Sequence, residues 1–201
     1  MINKNKYQVI IGLGNPGEKY SKTRHNVGFI ILDKIQKSFE SSNFKFENKF
    51  NAEISEKKLK PTSKKNFLEK MFYSNNNKIF LLKPQSFMNK SGEVIKKFMD
   101  FYKLSSENII VIHDDLDLTI GNYKISENSG AGGHNGIQNI VDNIGTQKFK
   151  RIRIGIEKKE GRKFRQITGE KFVLQNLSID ELLKIDTFTH KIEIDLRKVL
   201  T

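Results

Sequence analysis

Short apolar runs alternate with segments of helical periodicity, and no other feature constrains the fold as much. Tyr7–Leu13, Ile79–Leu82 and Ile109–Ile112 read as buried strands, and Arg151–Ile156 alternates basic and apolar residues as a half-buried strand does. Between them lie helical patterns. Val27–Phe39 carries Leu32, Ile35 and Phe39 on one face, with Asn26 placed to cap it. Gly92–Tyr102 places Ile95, Phe98, Met99 and Tyr102 one turn apart, and His134–Ile144 does the same with Ile137, Ile140, Val141 and Ile144. Asn122–Ser126 reads as a further strand and Glu127–Gly133 as a loop. Ser178-x-x-Glu181 is a capping box that opens a C-terminal helix through Leu182, Ile185, Phe188, Ile192 and Leu196. Glu40–Lys70 is polar and weakly patterned, with room for a strand near Phe50–Ile54 and a loop around Pro61. Strands alternating with amphipathic helices predict an α/β domain around a largely parallel sheet. Ligand sites in such folds lie beyond the C-terminal ends of the strands, here after Leu13, Leu82 and Ile112.

A length of 201 residues suits one domain spanning 1–201. The chain has no Cys, which excludes disulfides, thiolate zinc and a Cys nucleophile. The polar N-terminus and the short run Val9–Leu13 do not form a signal sequence. No apolar stretch approaches the roughly 18 residues of a membrane span, so a cytoplasmic protein without a membrane partner is expected.

Net charge narrows the partners. Thirty-six Lys and Arg against 23 Asp and Glu leave +13, which points to a polyanion such as nucleic acid. Composition drift toward Lys, Asn, Ile and Phe would also inflate Lys, but would spread it evenly. Instead, ten basic and three acidic residues between Lys148 and Lys171 leave +7 there, while Ser178–Thr201 carries four basic and five acidic residues.

Gly12-Leu-Gly-Asn-Pro-Gly17 matches the dinucleotide pattern G-x-G-x-x-G, with Asp33 at the spacing of a ribose-binding acid. The context opposes that reading. The fingerprint needs a helix to start within the glycines, whereas Pro16-Gly17 turns the chain and Glu18–Arg24 delays the helix to about Val27. Asp33 then falls inside a helix rather than at a strand end.

The strand-end segments carry Asn15, Tyr20, His25 and Asn26, then Met88 and Asn89, then His113, Asp114, Asp115 and Asp117. A Gly-rich loop adds Gly132-Gly-His-Asn-Gly136. Each residue also has a structural reading: Asn15 as a turn former, Asn26 and Asn89 as caps, His113 as a packed strand end, Asp114 as a local backbone partner. Together they describe a site for handling a carbonyl. A neutral imidazole, with a reference pKa of about 6.5, can take a proton from water. A carboxylate on its other nitrogen fixes the tautomer and stabilises the imidazolium. Side-chain amides bind peptide groups and developing carbonyl charge. With no Cys and no G-x-S-x-G, water is the economical nucleophile. The His spacings fit no zinc motif and Asp114–Asp117 fits no calcium loop.

At these residues the chain resembles the bacterial peptidyl-tRNA hydrolases. The matching stretches are Val9–Tyr20, Thr23–Phe29, Lys83–Gly92, His113–Leu118, Gly130–Gly136 and Arg151–Gly155, in the same order and spacing. They cover nearly the whole chain except its first residues and Glu40–Lys70. The resemblance implies a single α/β domain, with a twisted mixed sheet sandwiched between helices, usually monomeric and free of metal or organic cofactor. It implies hydrolysis of the ester joining a peptidyl group to the 3′ end of tRNA, which recycles tRNA from aborted translation.

By that resemblance His25 is the general base and Asp114 orients it. Asn15 and Asn89 position substrate, Asn135 holds the peptide backbone or the water, Tyr20 lines the ester site and Met88 forms an apolar wall. Lys124 matches a basic position linked to the tRNA 5′ phosphate, and Arg153 one linked to the acceptor stem. His134 reads as structural, although it stands in the motif. One departure is Ser126, where the family often has a second basic residue. The phosphate clamp is then expected to be weaker, or helped by Lys163 or Arg165. A relative that binds RNA without catalysis is the competing reading, and the joint presence of Asn15, His25, Asn89, Asp114 and Asn135 argues against it.

Overall fold

A computed structural model of the chain describes residues 7–58, 78–158, 161, 163 and 165–200. The loop expected around Pro61 lies outside them, as does most of the Lys-rich stretch that follows. Among these residues seven strands form one sheet: β1 (Tyr7–Gly12), β2 (Lys45–Glu47), β3 (Ala52–Lys58), β4 (Lys78–Pro84), β5 (Ile109–Thr119), β6 (Tyr123–Glu127) and β7 (Lys150–Glu157). The α-helices among the described residues are α1 (Val27–Ser38), α2 (Ser91–Tyr102), α3 (Asn135–Ile144), α4 (Gly169–Val173) and α5 (Ile179–Leu200).

The spatial order is β2-β3-β4-β1-β5-β7-β6. β1 sits between β4 and β5, parallel to both, with Ile10 registered against Leu81 and Ile110. β7 continues the parallel centre alongside β5. β3 and β6 run against their neighbours at the two sides, which makes the sheet mixed. The central strands are continuous apolar runs because helices cover both of their faces.

Two cores result, divided by the period-two alternation of the strands. On one face Ile10, Ile110, Ile112, Ile152 and Ile154 pack against Ile31, Leu32 and Ile35 of α1 and Ile185, Phe188 and Ile192 of α5. On the other, Val9, Ile11, Phe80, Leu82 and Val111 meet Val94, Ile95 and Phe98 of α2 and Ile137 and Ile140 of α3. Ser178 and Glu181 form the expected capping box at the start of α5, with Glu181 N donating to Ser178 Oγ at 3.2 Å and Ser178 N to Glu181 Oε2 at 2.8 Å.

The glycines after β1 serve packing. A Cβ at Gly12 would stand 2.5 Å from the carbonyl oxygen of Gly28, and one at Gly28 would stand 2.5 Å from both Leu13 N and Ile112 O. Only two glycines let α1 dock this closely on the ends of β1 and β5. Asp33 lies within α1 and pairs with Lys83 at 2.5 Å. The dinucleotide pattern is therefore a helix–strand contact followed by a turn at Gly17, where φ is +102°.

Three elements differ from expectation. β5 does not stop at Ile112 but runs to Thr119, paired with β7 through Asp115 and again at Thr119. Its second half replaces the continuous apolar run with a short Asp–Leu alternation after His113. β2 is a three-residue exposed strand, too short and polar to register. α4 is a five-residue helix capped by Thr168, below the length at which periodicity is readable.

Candidate active site

His25 sits in the 3-10 turn Arg24–Asn26 that leads into α1. Several bonds hold this turn. Thr23 Oγ1 donates to Tyr20 O at 2.8 Å, and Arg24 N to Gln175 O at 2.9 Å. The Arg24 guanidinium grips both carboxylate oxygens of Glu181, at 2.8 and 3.0 Å, and stacks on Phe172. A largely buried pair of this kind is costly to break from one side, because the other charge is then left unpaired. The motif residue beside His25 thus ties its turn to α5.

Asn26 occupies the cap position of α1 but does not cap it. Its Oδ1 accepts from Asn15 N and its Nδ2 donates to Asn15 O, both at 2.9 Å. The expected cap is thus corrected to a clamp on the backbone of Asn15. Asn15 Oδ1 in turn accepts from Met88 N at 2.8 Å. This assigns the Asn15 amide unambiguously and leaves its Nδ2 as the donor at the cleft.

Buried Asp114 lies on the extended half of β5. His25 Nδ1 donates to Asp114 Oδ1 at 2.8 Å, and His134 Nε2 reaches the same oxygen at 2.9 Å. Burial pushes the Asp114 carboxyl up, but the two imidazoles outweigh it and hold it well below the usual carboxylate range. Burial alone would lower the pKa of His25. The Asp114 charge and hydrogen bond outweigh it, and the net result lies above the ordinary imidazole value. His113 goes the other way: burial, with the neighbouring His134, sets it well below. Its Nδ1 donates to the Asp114 carbonyl at 2.7 Å and its Nε2 is buried, so His113 is a packed strand residue.

These residues line a cleft of about 770 Å³. Asn15, His25, Met88, Asn89, Asp114, Asn135 and Arg153 all face it. Met88 is buried in its wall, with Gly136 packed so closely on its thioether that a Cβ there would lie 2.5 Å from Sδ. Asn89 and Asn135 are exposed at the rim, the latter in the first turn of α3. Tyr20 stands outside the lining and packs edge-on against Phe87, which belongs to it, with ring centroids 6.3 Å apart. Lys124 is exposed on β6, directly across from Arg153 on β7.

The basic segment divides. Arg151 is buried and donates to Gly130 O at 2.8 Å and to Ser129 O at 2.5 Å, anchoring the Gly-rich loop. Arg165, one of the two expected helpers, is paired with Glu157 at 2.7 Å with its side chain largely buried. Arg153 bonds Asp115 and keeps partial exposure. Among the described residues Lys148, Lys158, Lys163 and Lys171 remain outward-facing.

His25, Asp114 and His134 offer ligand-type atoms within 4.8 Å of one another. A cation there would have to displace both imidazole–carboxylate hydrogen bonds. Among the described residues no helix is long and apolar enough to cross a membrane.

The peptidyl-tRNA hydrolase family model matches residues 9–201. A peptidyl-tRNA hydrolase of Clostridium botulinum (strain Alaska E43) is 38% identical over 189 residues, covering 89% of this chain and 90% of its own. That of Fusobacterium nucleatum is 41% identical over 178 residues, covering 88% and 84%. The crystal structure of peptidyl-tRNA hydrolase from Acinetobacter baumannii superposes with a TM-score of 0.78 at 28% identity, covering 98% of this chain and 89% of that one.

Proposed function

Since the chain belongs to the peptidyl-tRNA hydrolase family, we propose that its cleft hydrolyses the ester between a peptidyl group and the 3′ end of tRNA, with His25 as general base. The observation that carries this reading is the His25–Asp114 hydrogen bond at 2.8 Å beneath a cleft that three asparagines line. With Nδ1 donating to Asp114, His25 keeps its Nε2 lone pair for a water in the cleft. As that water attacks the ester carbonyl, its proton passes to Nε2 and the Asp114 carboxylate stabilises the imidazolium. The carbonyl electrons move to oxygen, where the Asn15 Nδ2 group and the Asn89 amide donate to the oxyanion. On collapse the C–O bond to the ribose breaks, and the leaving 3′ oxygen takes the proton back from His25. Peptide acid and free tRNA result, and no group outside the chain and water is consumed.

Asn135 holds the peptide backbone or the water, and Met88 excludes bulk solvent. Tyr20 acts through Phe87, from behind the lining. Lys124 and Arg153, facing each other across β6 and β7, form the phosphate-binding surface for the acceptor stem. Selectivity for an N-acylated residue follows from the amides, since a free ammonium cannot supply the acceptor that they require. The test compares N-acetyl-aminoacyl-tRNA with free aminoacyl-tRNA. Rapid release from the blocked substrate alone is expected. Equal hydrolysis of both, or none of the blocked one, overturns the reading.

A further inference from the structure

We propose that His134 is a positioning residue for the base, a role that rests on the reading of His25 above. The ring makes two kinds of contact at once. Its Nδ1 accepts from Gly136 N at 3.1 Å and from Ile137 N at 3.2 Å, as the N-cap of α3. Its Nε2 lies 2.9 Å from Asp114 Oδ1. A nitrogen facing two backbone N–H groups must present its lone pair, so the ring proton sits on Nε2 and is donated to the carboxylate. The start of a helix therefore dictates the tautomer of a histidine, and that tautomer supplies Asp114 with its second donor.

Residue choice supports this. Ser, Thr, Asp and Asn cap helices best, and none of them extends an N–H donor as far beyond the capping atom as imidazole Nε2 does. Imidazole does both. Gly132 and Gly133 precede it with φ of +59° and +78°, a left-handed path that other residues rarely take. Arg151 holds the same loop by the carbonyls of Ser129 and Gly130. The loop is thus shaped and anchored so that His134 meets Asp114 from one side while His25 meets it from the other, with their ring centroids 5.0 Å apart.

The consequence for catalysis is geometric. Two N–H donors converge on a single carboxylate oxygen, so Asp114 cannot turn away from His25 without breaking the second bond. The shared oxygen is also less basic than one bonded to His25 alone, which tempers its pull on the His25 proton. Asn135 follows His134 in the chain, so the same cap sets a substrate-binding amide relative to the base.

His134→Asn separates capping from positioning, because Asn keeps the cap but has no donor that reaches Asp114. The expected result is a melting temperature within about 2 °C of wild type. For peptidyl-tRNA hydrolysis kcat should fall about 10- to 100-fold, KM should stay within about twofold, and the acid limb of the pH profile should move upward. His134→Ala should lose stability as well as rate. The wild-type tautomer is read independently from imidazole ¹⁵N shifts. A proton on Nε2 of His134 and on Nδ1 of His25 supports the proposal even if the Asn variant melts early, and a proton on Nδ1 of His134 overturns it. So does a folded Asn variant with the wild-type rate and profile. Failure of the wild type to cleave peptidyl-tRNA would instead fall on the proposed reaction and leave the tautomer result standing.

Discussion

Replacing Asp114 by Asn keeps the shape of the site and removes its buried charge. In the wild type the carboxylate lies 2.8 Å from His25 Nδ1, and its attraction outweighs the burial that would otherwise lower the imidazole pKa. Asn Oδ1 can still accept from both imidazoles, so the tautomers survive. What is lost is the charged part of the hydrogen bond. A hydrogen bond to an ionised partner is worth about 1.5–3 kcal/mol, and one pKa unit corresponds to about 1.4 kcal/mol. The His25 pKa should therefore drop, because the charge that holds it above the ordinary imidazole value is gone while the burial that lowers it remains. With His25 as the proposed general base, activity needs it neutral and rises with pH through that pKa. The acid limb of kcat/KM in Asp114→Asn should then lie at lower pH than in wild type. The plateau should fall about 10²- to 10⁴-fold, because the imidazolium formed during attack has lost its counter-charge. Release of N-acetyl-aminoacyl groups from labelled tRNA between pH 5 and 9, followed in both proteins, measures this. An acid limb that stays in place or moves upward, or a plateau within about twofold of wild type, would refute the reasoning.

Other perturbations test the supporting structure. Asn26→Ala removes both hydrogen bonds that clamp the Asn15 backbone and should cost about 1–3 kcal/mol in denaturant unfolding, with a lower kcat. Gly28→Ala pushes a Cβ onto Leu13 N and Ile112 O, which are backbone atoms that cannot step aside; about 1–3 kcal/mol or more should be lost from thermal stability. Lys124→Ala should raise KM and reduce the slope of log K against log salt by about one phosphate's worth, and an unchanged slope would remove Lys124 from the tRNA surface.

Much of the architecture was legible because its elements are conventional. The buried strands of the sheet centre are apolar runs, α1, α2 and α3 carry one-face periodicity, and the Ser178–Glu181 box forms as written. Legibility failed where polar chemistry replaces apolar pattern. The second half of β5 carries only a short alternation of Asp with Leu116 and Leu118 and is held largely by pairing with β7. Asn26 looks like a cap because Asn before a helix usually is one, and only the fold brings Asn15 within its reach. His134 combines a local role with a distant one, twenty residues from Asp114 in sequence, and spacing carries no sign of that contact. The charge count was readable as a total, but not its division into outward-facing Lys163 and Lys171 and the internal pairs of Arg151 and Arg165.

In the proposed reaction His25 takes the proton from the attacking water. That step is tested most directly by single-turnover hydrolysis of N-acetyl-aminoacyl-tRNA with His25→Ala, alongside circular dichroism and tRNA binding. The expected variant is folded, binds tRNA as wild type does and releases the acyl group at least about 10²-fold more slowly. A folded His25→Ala protein with near-wild-type turnover would contradict that role for His25.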